Sequence, residues 1–96
     1  LNKMNTTGIQ KSLNSIPGIS ITKHFIERYF ERFNDPQVLF KVLKYLNSNL
    51  CVLLYETALN DNAVDLNIEG FVVPVVYSEI KGVPTLVCKT LYKKGS

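Results

Sequence analysis

Apolar residues fall at helical spacing first and at strand spacing later. After Thr22, a residue type suited to a helix N-cap, Phe25, Ile26, Tyr29, Phe30 and Phe33 recur on one face, and His24, Glu27, Arg28, Glu31 and Arg32 fill the other. Asn34-Asp35-Pro36 ends this helix and opens the next, since Asp caps an N-terminus and Pro suits the first helical position. In the second helix Val38, Leu39, Val42, Leu43 and Leu46 form the apolar stripe, and Lys41 and Lys44 face away from it. That stripe predicts packing of helix on sheet. The run LCVLLYETAL after Asn49 is apolar for ten residues and reads as a third helix or a buried strand, with helix preferred.

Beyond residue 63 the pattern changes. Val64 to Ile68, Phe71 to Ile80 and Thr85 to Lys93 are rich in β-branched and aromatic residues, separated by Glu69-Gly70 and Lys81-Gly82. They predict an antiparallel meander of three strands. Pro74 inside the middle strand predicts a bulge there or an edge position. The fold class expected is therefore α+β, with N-terminal helices packed on a C-terminal antiparallel sheet of three or more strands. Residues 1 to 18 carry no clear period before the Pro17-Gly18 turn, so they are expected to form a mobile or irregular arm, with one domain over 19 to 94.

At 96 residues the chain supports one modest core, and 46% hydrophobic residues against 20% charged are values for a folded domain and not for a disordered segment. The net charge of +3 permits an acidic partner without requiring one. Cys51 and Cys88 lack metal-type spacing and read as thiols of a reducing compartment, with no disulfide expected. No apolar run reaches the roughly 20 residues of a membrane span, and the opening residues are too polar for a secretory signal. A cytoplasmic protein with no membrane association is the expectation.

Several chemistries are disfavoured by absence. Neither GxGxxG nor GxxxxGK occurs, one His with two separated Cys does not assemble a usual zinc site, and there is no nucleophile elbow. No metal or cofactor is expected. What stands out is the line His24, Arg28, Arg32, spaced four and four, which stacks a group able to titrate near neutrality beside two permanent cations on one helix face.

The segment HFIERYFER, followed by a second helix and a C-terminal hairpin ending TLVCKTLYKK, resembles small bacterial and phage proteins of the barnase/RelE-like superfamily, including BrnT-like toxins and RegB-like endoribonucleases. The resemblance spans about residues 20 to 94 in element order. It implies a metal-independent endoribonuclease, a toxin or a phage RNA-processing factor, that cleaves single-stranded RNA by attack of the ribose 2′-hydroxyl. His24 would then be general base or acid, Arg28 would hold the phosphate, and Lys89 or Tyr92 would take the second proton-transfer role. Strand alternation does not choose between those two. Arg32, Lys41, Lys44 and Lys93 would contact RNA. The chain departs from the RegB-like pattern in lacking a second histidine on the sheet. Expected partners are RNA and an antitoxin or host protein.

The same residues have plainer readings. Arg28 pairs with Glu31 on an exposed face, the aromatic residues of the first helix pack into the core, and the lysines are ordinary surface residues. Two other function classes follow: a non-catalytic module that binds RNA or a host protein, and an assembly domain whose free sheet edge pairs with a partner strand.

Overall fold

The computed structural model describes residues 11, 13, 14 and 16 to 94. The expectation of a mobile or irregular arm falls largely outside the described residues. The chain is α+β: strand β1 (Ile19–Ile21), helices α1 (Lys23–Arg32), α2 (Pro36–Ser48) and α3 (Leu50–Leu59), then strands β2 (Ala63–Ile68), β3 (Phe71–Ile80), β4 (Val83–Cys88) and β5 (Tyr92–Lys93). LCVLLYETAL is helical. No single helix among the described residues is long and apolar enough to cross a membrane.

Local chemistry fixes the helix starts. The Thr22 hydroxyl accepts from the Phe25 amide, and the Asp35 carboxylate accepts from the Gln37 amide with Pro36 in the first turn. Strands β2, β3 and β4 form the predicted meander, joined by two-residue turns in which Glu69 and Gly70, then Lys81 and Gly82, all have positive φ. Positive φ at both central residues is the geometry whose twist matches paired strands, and glycine supplies it without a Cβ clash.

The sheet has order β1-β4-β3-β2, with β5 also pairing β3. It is mixed, because β1 joins β4 in parallel, with Ile19 opposite Leu86 and Ile21 opposite Cys88. Beyond β1, the Asn14 side chain accepts from the Ile21 amide at 2.6 Å and donates to its carbonyl at 3.4 Å, so a side chain occupies the outer edge of that strand. Ile19, Ile21, Leu66, Ile68, Phe71, Val73, Val75, Leu86 and Cys88 form the sheet side of the core, and Phe25, Ile26, Tyr29, Val42, Leu46 and Leu53 form the helix side.

The last strand departs from expectation, and proline is the reason. Instead of one strand over 85 to 93, β4 ends at Cys88 and β5 begins at Tyr92. Cys88 faces Val75 and Tyr92 faces Val72, so Val73 and Pro74 stand opposite three residues, Lys89 to Leu91. This is a bulge of one extra residue, and it falls on the strand opposite the proline. Pro74 still accepts from the Lys89 amide at 2.9 Å, but it has no N–H to return to the Lys89 carbonyl. The extra residue also inverts the alternation. Leu91 enters the core beside Leu86 and Cys88, while Val87, which unbroken alternation would put on the same face, is only half-buried on the other side.

Burial divides the two thiols. Cys88 is fully buried and desolvation pushes its pKa up to about 12, whereas Cys51 is exposed on α3. In the native protein a thiol reagent is expected to modify Cys51 alone, and Cys88 only after unfolding. Because the unfolded thiol ionises near pH ~8.5 and the folded one does not until about 12, Cys88 favours the folded state below the former value. That stability is expected to fall as pH rises from one value towards the other. Urea titrations across that range check this, and the part due to Cys88 should be missing in Cys88→Ala.

Candidate nucleic-acid interface

Helix α1 lies along the bulge, and two side-chain hydrogen bonds hold it there. The Thr22 hydroxyl donates to the Lys89 carbonyl at 3.0 Å while it accepts from Phe25, so one group both caps the helix and serves the carbonyl that Pro74 leaves without its ladder donor. The Thr22 amide donates to the Cys88 carbonyl at 3.3 Å. At the other end of α1, Arg32 Nη1 donates to the Leu91 carbonyl at 2.9 Å, and the Phe33 and Phe71 rings meet edge-on at 5.7 Å between centroids.

The aromatic face of α1 is inside: Phe25 and Ile26 are fully buried and Tyr29 nearly so, with Phe30 and Phe33 packed partly against the core. These rings are core and not base-stacking platforms. Burial raises the Tyr29 phenol above its ordinary range, with the Asp35 carboxylate adding to the effect. His24 is exposed on the first turn, Arg28 is half-buried and ion-paired with Glu31, and Arg32 is exposed with one donor on Leu91. The pairing of Arg28 with Glu31 is the plainer arrangement readable from their spacing.

Lys89 is exposed, and its backbone is tied to Thr22, two residues before His24. Tyr92 pairs with Val72, whose neighbours Phe71 and Val73 face the helices, so the register directs Tyr92 to the opposite side of the sheet, the side to which alternation after the inward Cys88 also directs Lys89. Lys93, opposite Phe71, is exposed at the end of the same edge as α1. Lys41 and Lys44 are not on this edge. Lys41 pairs with Glu69 at 3.1 Å, and the Lys44 ammonium lies 6.0 Å from the centre of the Phe40 ring. Both line a groove of about 480 Å³ between α2 and the β2–β3 turn, beside β2 and not β5.

The result is a polarised charge distribution. Helix α1 and residues 89 to 94 carry six of the chain's 11 Lys and Arg residues, together with His24, against Glu27 and Glu31 among its 8 carboxylates. No Lys, Arg or His occurs between Lys44 and Lys81. Such an edge suits a polyanion whose phosphates approach a row of cations. Among the described residues, no three of His, Cys, Asp and Glu are grouped so as to hold a metal ion. The chain matches no family model, and neither a curated protein nor a solved structure matches it.

Sequence reasoning did not find Thr22 as the link between helix and sheet or Arg32 as a backbone ligand, because both depend on the bulge. The two roles separate in stability. Replacing Arg32 by Leu is expected to cost about 1 kcal/mol through the lost bond to Leu91, whereas His24→Ala should stay within about 0.5 kcal/mol because the side chain is exposed. Paired urea unfolding curves check both.

Proposed function

We propose that the protein acts on RNA along the α1 and 89–94 edge, as a small metal-independent endoribonuclease with His24 as its proton-transfer group. The observation that carries this reading is the concentration of cations on that edge, with the His24 turn fixed against the Lys89 backbone through Thr22. In the reaction, the ribose 2′-oxygen attacks the adjacent phosphorus and the bond from phosphorus to the 5′-oxygen breaks. The products are a 2′,3′-cyclic phosphate and a free 5′-hydroxyl. His24 as neutral imidazole takes the 2′ proton, and the Lys89 ammonium gives one to the leaving oxygen. The register sends both side chains to the face of the sheet away from the helices, and Lys89 is favoured over Tyr92 because its backbone carbonyl is bonded to Thr22, two residues before His24. Arg28 stabilises charge on the phosphate oxygens; a helical pair such as Arg28–Glu31 is worth only about 0.2–0.5 kcal/mol, so an incoming phosphate displaces it at little cost. The two free cysteines support a reducing compartment such as the cytoplasm for this activity.

A second reading, RNA binding without cleavage, is favoured by one observation: both arginines of the basic line already have protein partners. The two readings separate in a single assay. Wild type and His24→Ala are incubated with mixed cellular RNA in EDTA, and RNA binding is followed in parallel as salt is raised. Cleavage to cyclic-phosphate ends, reduced at least ~100-fold in the variant, is the expected result. Salt-sensitive binding of RNA that stays whole in both would establish the second reading. Salt-insensitive association, or none, would overturn both.

A further inference from the structure

Helix α3 is apolar on nearly all sides, the pattern of a helix covered all round. Its inner side, with Leu53 and Thr57, is buried on the sheet, but Val52, Tyr55 and Leu59 are 58%, 68% and 66% exposed. They stand three and four residues apart on one stripe, the spacing by which a helix docks into or against another helix. Isolated exposed hydrophobic residues are ordinary; a line of three on one helix marks an interaction surface.

Charge around the stripe selects what covers it. Glu56 flanks it and Asp61 lies just past the helix end, both exposed, within the stretch from Lys44 to Lys81 that holds no cation. An anionic lipid surface is repelled by these carboxylates. A second copy docking stripe to stripe with the two helices antiparallel across a two-fold axis brings each Glu56 to the same flank as its mate, like charge beside like. The chain's own basic helix does not fit either, because the apolar face of α1 is already buried in the core.

We propose that the α3 stripe docks a basic amphipathic helix of another protein, with its apolar side against Val52, Tyr55 and Leu59 and its Lys or Arg residues against Glu56 and Asp61. The stripe shares no residue with the basic edge and does not depend on the RNA reading.

The probe is a fluorescein-labelled synthetic peptide of Leu and Lys, with the leucines at helical spacing, titrated with the full chain and followed by anisotropy. A Leu and Glu peptide of the same pattern is the control. Saturable one-to-one binding of the basic peptide alone is expected, weakened by salt. Tyr55→Lys with Leu59→Lys should lower affinity at least tenfold, and Glu56→Gln several-fold, at unchanged melting temperature. No binding of the basic peptide, equal binding of both peptides, or undiminished affinity in the variants overturns the proposal. So does a concentration-dependent dimer, or binding to phosphatidylserine vesicles, that the same variants abolish, since the stripe would then belong to a second copy or a lipid surface.

Discussion

The arrangement of this protein depends on a hydrogen bond that Pro74 does not make. In a regular ladder the residue at 74 would exchange both backbone bonds with Lys89; proline accepts one and returns none. The carbonyl left over is served by the Thr22 hydroxyl, and Thr22 is the N-cap of α1. A gap in the sheet thus becomes the docking point of a helix.

Two further features follow from the same place. The extra residue between β4 and β5 turns Leu91 into the core, and the Leu91 carbonyl becomes the anchor of Arg32. Helix α1 is therefore held at both ends against a three-residue segment, and its polar side is presented beside Lys89, Lys93 and Lys94. The basic edge results from this docking and not from the helix sequence alone. Acidic residues gather in the middle of the chain, around α3 and β2, where the exposed apolar stripe lies. The two surfaces differ in chemistry, one suited to phosphates and the other to an apolar and cationic partner.

Helix order, the two hairpin turns and the span of β3 are legible in the sequence because each rests on local chemistry: Thr22 and Asp35 as caps, Pro36 in a first turn, and glycine after a residue of positive φ. Pro74 announces a bulge without saying which strand carries it. Placing the extra residue opposite, between Cys88 and Tyr92, requires the pairing register, and alternation extrapolated through that segment assigns Val87 and Leu91 to one face when they lie on two. Strand β1 is equally hidden, since three residues pair in parallel with a segment more than sixty positions away. Of the candidate site, the spacing of His24, Arg28 and Arg32 is local and readable. That Arg32 serves a carbonyl, and that Tyr92 turns from the helix, are consequences of tertiary register.

A double-mutant cycle between Thr22 and Pro74 tests this account most directly. Thr22→Val removes the hydroxyl in both backgrounds, and the loss of the helix cap cancels across the cycle. Pro74→Ala restores an N–H that can serve the Lys89 carbonyl. The account predicts that Thr22→Val costs less in the Pro74→Ala background than in the wild type, with a coupling of about 1 kcal/mol in urea unfolding. Additivity within about 0.3 kcal/mol would mean that Thr22 does not stand in for the missing proline donor, and the proposed origin of the helix docking would be wrong.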